Sequence, residues 1–169
     1  MRIVTIANGR RLLIRPIRPD DRAELQRGLS RLSQRTIQQR FLTAKPRFSS
    51  RELTYLTEVD GVDHIALAAV ELEFPQRVVA VARAVRMPDE PDLAEWAIVV
   101  GDHLQGLGLG RLLVEALGDA ARAAGITRFS ATMLGDNVAV HRLMRRVTAR
   151  FERDEHHDGL REVVGLLAA

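Results

Sequence analysis

Two features of the sequence could do chemistry, and they lie ten residues apart. A carboxylate, Glu95, stands inside the apolar run from Leu93 to Val100. Glycines then alternate in the stretch Gln105-Gly106-Leu107-Gly108-Leu109-Gly110, where an apolar helical pattern begins. The order of strand, glycine-rich turn and helix N-terminus brings unpaired backbone N–H groups and the positive end of a helix dipole to one point, which is typical of an anion site.

The spacing of the glycines narrows the kind of anion. A dinucleotide fingerprint needs a third glycine at its sixth position, but the sixth residue is Arg111 counted from Gly106 and Leu113 counted from Gly108. A nucleoside triphosphate loop needs Gly-Lys-Ser/Thr, and the only lysine of the chain is Lys45. Alternate glycines let the backbone approach a pyrophosphate, although they also suit a plain tight turn. A phosphate-bearing cofactor is the first hypothesis, and the tight turn is the alternative.

Hydrophobic periodicity predicts the elements that position these residues. One apolar helical stripe follows the glycines, and Gly125 stands at its C-cap position. Caps predict further helices after Asp20 or Asp21, Ser33, Ser49, and Asp136 or Asn137. The stripe consists of Leu109, Leu112, Leu113, Ala116, Leu117, Ala120, Ala121 and Ala124. The predicted strands are 2–6, 11–17, 64–73, 77–86, 93–100, 128–134, 150–154 and 160–167. A turn is predicted over Met87–Asp92.

Composition limits the classes of protein to consider. The 169 residues, without repeats or low-complexity segments, predict a single domain over 1–169. We expect no membrane span and no signal peptide, because no apolar run approaches 18 residues. The chain has no cysteine, and its arginines are scattered among acids at a net charge of +3. We therefore expect a cytoplasmic protein with no nucleic-acid partner, no thiol nucleophile and no metal site.

The sequence resembles a known family over nearly its whole length. The motif Gln105-x-x-Gly108-x-Gly110 resembles the pyrophosphate loop of the GNAT N-acetyltransferases, which hold acetyl-CoA. Three stretches, 32–41 (LSQRTIQQRF), 63–67 (DHIAL) and 94–100 (AEWAIVV), resemble the catalytic domain of bacterial Pat-type protein lysine acetyltransferases. The resemblance implies an α/β fold (an α+β mixed sheet) of about seven strands flanked by helices. It also implies that the strands at 93–100 and 128–134 splay apart.

Glu95 has two interpretations. An amine at neutral pH is an ammonium and must lose a proton before it can attack a thioester, so a base is needed near the acceptor. The resemblance gives the role of general base to Glu95. We also expect the carboxylate to be buried in its apolar strand, which is costly unless the group is functional or paired. The alternative is a cross-strand salt bridge to Arg83 or Arg86.

The resemblance also implies which residues hold acetyl-CoA. Backbone groups of Ile98, Val99 and Val100 would hold the pantetheine arm and polarise the thioester carbonyl. Asn137, which matches a residue that contacts the arm, is also a plain helix cap. One residue departs from the family pattern: Met144 stands where many members have the tyrosine that protonates the leaving thiolate. The pyrophosphate would be held by Gln105, Gly106, Leu107, Gly108, Leu109, Gly110 and Arg111.

The expected function is direct acetyl transfer from acetyl-CoA to an amine, with a protein lysine side chain as the favoured acceptor. A small amine is the second enzyme hypothesis, and a weakly active acyl-CoA-binding regulatory module is the third, motivated by Met144. An open groove at Glu95 would suit a protein acceptor, and an enclosed acidic pocket would suit a polyamine. A salt bridge between Glu95 and an arginine would suit the regulatory module. The acceptor loops are expected at 45–50 and 87–92, and a homodimer is compatible with the sequence.

Overall fold

The computed structural model describes residues 1–169, which form eight strands and five helices. The strands are β1 (Arg2–Thr5), β2 (Arg11–Pro16), β3 (His64–Glu71), β4 (Val78–Met87), β5 (Glu90–Val100), β6 (Arg128–Leu134), β7 (Thr148–His157) and β8 (Leu160–Leu167). The helices are α1 (Arg22–Ser30), α2 (Gln34–Phe41), α3 (Ser50–Thr57), α4 (Leu109–Ala123) and α5 (Val138–Val147). All strands belong to one sheet, in the order β1-β2-β3-β4-β5-β6-β8-β7.

The predicted mixed α/β fold is confirmed, with the eight strands that periodicity predicts and the resemblance puts at about seven. Seven neighbouring pairs make up the sheet, and only β5 with β6 is parallel. Local sequence accounts for the helix starts. Ser33 caps α2 by accepting from Thr36 N, and Ser49 and Glu52 form the predicted capping box of α3.

The apolar stripe of α4 packs on one face of the sheet. Leu109, Leu113 and Leu117 are completely buried there, together with Phe129 of β6. The other face carries a smaller core of Ala66, Ala68, Val70, Val78, Val81 and Ile17, with Leu25 of α1 packed against it. The sheet therefore separates α4 from the first helices.

The turn before β5 is shorter than predicted. We expected a turn over Met87–Asp92, whereas only Pro88 and Asp89 form it and β5 begins at Glu90. The carboxylates of Glu90 and Asp92 both bind Arg128 of β6, at 2.8 Å each. These ion pairs hold the start of β5 against the sheet. Most of the segment 87–92 therefore belongs to β4 and β5, and its contact with the acceptor stays a prediction.

Strands β5 and β6 separate after three residue pairs. The last of these pairs is Glu95 with Ser130, and no later residue of β5 pairs with β6. The predicted splay between the strands at 93–100 and 128–134 is confirmed. From Trp96 to Val100, β5 keeps its partner β4 on one side and has an unpaired edge on the other. No helix of the protein is both long enough and apolar enough to cross a membrane.

Candidate active site

A cleft of 410 Å³ lies where β5 and β6 diverge. It is bounded by the end of β5, the glycine-rich loop, and the starts of α4 and α5. Of the residues predicted to hold the cofactor, nine line it: Ile98, Val99, Val100, Gln105, Gly106, Gly108, Gly110, Arg111 and Asn137. The other two, Leu107 and Leu109, turn their side chains toward the core. The backbone of all eleven residues still lies along this one cleft or its loop.

The glycine-rich loop has the backbone geometry that is typical of an anion site. Gly106 and Gly108 have φ values of +74° and +87°, which side chains disfavour, and Gly108 is the N-cap of α4. None of the backbone N–H groups from 106 to 111 donates a hydrogen bond to the protein. Free amides at the positive end of a fifteen-residue helix attract a pyrophosphate strongly. Arg111 and the exposed Arg142 add positive charge to the same cleft.

Gln105 braces the end of β5. Its side-chain nitrogen donates to Val100 O at 3.0 Å and to Thr36 Oγ1 at 3.1 Å. Thr36 in turn donates to Asp102 at 2.7 Å. These bonds tie α2, β5 and the loop together, and they occupy the Val100 carbonyl. The amide of Gln105 therefore positions the cleft wall, and the Val100 carbonyl is already engaged within the protein.

Asn137 has one of the two roles proposed from the sequence, that of helix cap, and its position is compatible with the other. Its Oδ1 accepts from Val140 N at 3.2 Å, which caps α5. Its side chain is 4% exposed and lines the cleft, and its amide nitrogen has no partner within the protein. Capping leaves that N–H donor group available to a ligand in the cleft.

Glu95 is exposed, which corrects our expectation of a buried carboxylate. It shares a sheet face with Ala97 and Val99, as alternation predicts, but it is the last residue of β5 to pair with β6. The opening between the diverging strands begins beside it, so water reaches the carboxylate. Its exposure therefore follows from the topology of the sheet, which the periodicity of one strand does not reveal.

The alternative interpretation of Glu95, a salt bridge to Arg83 or Arg86, is not observed. Arg86 binds Asp63 at 2.7 Å, and Arg83 donates to the neutral acceptor Leu56 O at 3.2 Å. No basic side chain lies within ion-pair distance of Glu95. Arg40 on α2 has a pKa that burial lowers and that the charge of Glu95 raises in part.

Met144 faces the core and not the cleft. Its side chain is completely buried, and its sulfur accepts a hydrogen bond from Trp96 Nε1 at 3.1 Å. Position 144 is therefore a packing position in this chain. A methionine there does not leave a gap beside the cofactor.

We expect Met144→Tyr to lower the free energy of unfolding by about 1–3 kcal/mol, because a larger side chain must enter a filled core. Turnover should not rise, because the hydroxyl would lie in the core. Urea denaturation and a steady-state assay measure the two effects. Met144→Leu is the control of similar volume: it shares the loss of the sulfur acceptor for Trp96 Nε1 but adds no bulk, so it should cost less than the tyrosine variant. A faster tyrosine variant of unchanged stability would show that position 144 faces the reacting atoms.

His64 and His141 lie outside the cleft. His64 is buried, stacks on Tyr55 with ring centres 4.7 Å apart, and lies 2.9 Å from Arg83 Nη1. Burial lowers the pKa of His64 to about 4, with a further contribution from Arg83. His141 turns toward β7, where it lies 3.3 Å from Asp154. No group of three His, Cys, Asp or Glu side chains could hold a metal ion.

The contribution of α2 to the cleft was not predicted from the sequence. Thr36, Gln39 and Arg40 line it from the side opposite α5, as Arg142 does from α5 itself. The available signal was the stretch 32–41, which carried the resemblance but was not assigned a role in binding. Its polar residues at helical spacing would have suggested a second wall.

The chain is similar to acetyltransferases in sequence and in structure. The model of the acetyltransferase (GNAT) family matches residues 33–148. Acetyltransferase Pat of Mycolicibacterium smegmatis is 35% identical over 153 residues, which are 90% of this chain and 45% of that protein. Acetyltransferase PA5475 of Pseudomonas aeruginosa is 32% identical over 144 residues, 85% of this chain and 75% of that protein. This chain thus spans less than half the length of the M. smegmatis protein.

A solved structure extends the likeness to the whole fold. The GNAT domain of S. lividans PAT superimposes with a TM-score of 0.86 at 28% identity, over 98% of this chain and 96% of that one. The shared part therefore includes the splayed strands and the glycine-rich loop as well as the helices around them.

Proposed function

This chain belongs to the GNAT family of acetyl-CoA-dependent acetyltransferases, and we propose that it transfers acetyl directly to the side-chain amine of a protein lysine. In this proposal Glu95 is the general base. The observation that carries the proposal is the state of Glu95. The carboxylate is exposed, forms no ion pair and stands where the strands begin to separate. An open, unpaired carboxylate suits an acceptor presented on the surface of another protein.

The chain's own residues account for each requirement of the reaction. Bound acetyl-CoA supplies a thioester carbonyl that an uncharged amine can attack. The free amides of 106–111, with Arg111, would hold its pyrophosphate, and the Asn137 amide would donate to its arm. Backbone groups of the unpaired β5 edge near Ile98 and Val99 would hold the arm and polarise the carbonyl. Transfer is direct, because the chain has no cysteine to carry the acetyl group.

Proton movement rests on one carboxylate. Glu95 would accept the proton of the acceptor ammonium, directly or through one water, since its exposed position allows both. The buried Met144 offers no proton to the departing thiolate. A thiolate is a good leaving group with an ordinary pKa near 8.5, so it can leave as the anion and be protonated by water.

The acceptor class is tested by acetyl transfer from labelled acetyl-CoA to a bacterial cell extract that has been split by size into proteins and small molecules. Heat-killed enzyme is the control. We expect label on protein lysines, located by mass spectrometry of the labelled peptides. Label confined to the small-molecule fraction would replace the acceptor and keep the cofactor. Tight binding of acetyl-CoA without any transfer would favour the regulatory module.

A further inference from the structure

A second cavity, of 450 Å³, lies on the face of the sheet that α1–α3 cover. Apolar side chains form much of its wall, including Leu25 and Leu29 of α1, Phe41 of α2 and Val81 of β4. It shares only two lining residues with the cofactor cleft, Arg40 and Val99, and Glu95 lines neither space. The cavity is therefore a separate compartment that adjoins the cleft across β5.

Most of the charged groups around this cavity are already satisfied. Arg31 pairs with Glu24, and Arg77 lies 3.5 Å from Glu71. Asp102 accepts hydrogen bonds from Ser33 and Thr36. These charged groups already have partners within the protein and do not require a ligand.

Two arginines of the wall have no carboxylate within ion-pair distance. Arg83 is 7% exposed, and its two hydrogen bonds go to the neutral acceptors His64 Nε2 and Leu56 O, at 2.9 and 3.2 Å. The half-buried Arg40 donates no hydrogen bond within the protein, and its guanidinium carbon lies 4.9 Å from the centre of the Phe41 ring. A guanidinium has five N–H donors, so most of their combined capacity is unused.

Burying two like charges beside an apolar cavity is costly without a counter-ion. The cost is visible in the lowered pKa of both groups, for which burial is the main cause. The pKa of Arg83, about 10, is lowered further by Arg40, and the side chain still carries its charge at neutral pH. Glu95 acts on Arg40 only from beyond ion-pair distance. Unpaired buried charges of this kind favour a binding site over a structural role.

We propose that this cavity binds a small organic anion, a carboxylate on an apolar body. Arg40 and Arg83 hold the carboxylate, and the apolar body packs against Leu25, Leu29 and Phe41. The two positive charges exclude an amine of the same shape. The site is independent of the acceptor proposed above, because its occupant need not react. Since Arg40 also lines the cofactor cleft, the occupant lies directly beside bound cofactor.

The proposal is tested by calorimetric titration of the whole chain with hexanoate and, as the charge-reversed probe, hexylamine. Saturating coenzyme A is present throughout, so that the anion-binding loop at 106–110 is blocked. Hexanoate should bind and hexylamine should not. Arg40→Gln should weaken hexanoate binding about tenfold or more, because a charge-assisted pair is lost.

Two further variants distinguish binding inside the cavity from binding to positive charge at its surface. A Cβ at Gly28, which lines the cavity, meets no atom within 4 Å. Gly28→Leu should therefore fill the space and abolish binding without changing any charge. Arg77→Gln removes an arginine of the same wall that is already paired, and should bind hexanoate as the parent does. Equal binding of hexylamine, no binding of hexanoate at millimolar concentration, or unchanged binding in both Arg40→Gln and Gly28→Leu would overturn the proposal. Acetyl transfer is measured separately, so its failure leaves this result intact.

Discussion

Glu95→Gln is expected to slow acetyl transfer by about 10²- to 10⁴-fold, which is the usual contribution of a positioned general base. Glutamine keeps the shape of the side chain and removes its ability to accept a proton. Coenzyme A should bind unchanged, because Glu95 does not line the cofactor cleft. The loss should also shrink as the pH approaches the ordinary pKa of a lysine amine, about 10.4, where the acceptor deprotonates without help. Turnover measured across pH, with coenzyme A affinity measured beside it, tests all three expectations.

The matched control is Glu90→Gln. Glu90 lies at the start of the same strand, is solvent-exposed and pairs with Arg128 at 2.8 Å. Loss of such a surface pair changes stability by less than about 1 kcal/mol and should leave turnover intact. If Glu95→Gln turned over normally, or lost activity equally at every pH, the base would have to be sought elsewhere.

Gly108→Val is expected to weaken coenzyme A binding roughly a hundredfold. A β-branched residue forced to a φ near +87° costs up to about 3 kcal/mol, and its side chain would also enter the cleft beside the free amides. The loop must either strain or move, and both outcomes remove the arrangement that receives the pyrophosphate. Equilibrium titration with coenzyme A gives the affinity, and thermal denaturation of the free protein gives the stability.

Gly125→Val provides the comparison for that variant. Gly125 has a φ of +81°, has open space around it and stands just beyond the opposite end of the same helix, α4. The Gly125→Val protein should therefore lose about as much stability as the Gly108→Val protein and keep its affinity for coenzyme A. Similar affinity losses in both variants would mean that the helix as a whole is damaged, and the glycine loop would lose its special role.

The fold was largely predictable because its signals are local. The stripe on α4, the caps at Ser33 and Ser49 and the glycine-rich loop each depend on neighbours in the sequence, and each is present as predicted. The mixed sheet with its splay was implied by resemblance and is also confirmed. Strand β5 begins at Glu90, three residues before the predicted start. The ion pairs that hold this start join β5 to Arg128, which is far along the chain, so the local sequence does not indicate them.

The candidate site was less predictable, because its properties depend on contacts between distant elements. The exposure of Glu95 follows from where β6 leaves β5, and no pattern within 93–100 encodes that point. The inward direction of Met144 depends on the indole of Trp96 across the core. The role of α2 as a wall, with Arg40 between two cavities, requires the packing of this helix on β5, a strand far along the chain.

The unpaired edge of β5 also links the lifetime of the protein to metabolism. An open strand edge is a template for pairing with other chains, and a ligand that lies along it covers that edge. Any ligand that binds only the folded chain adds to its stability, by about 2.7 kcal/mol at one hundred times its dissociation constant. When acetyl-CoA is scarce, we expect a larger share of these molecules to unfold and to be exposed to proteases and aggregation. The resistance of the protein to proteolysis should therefore rise with the concentration of acetyl-CoA.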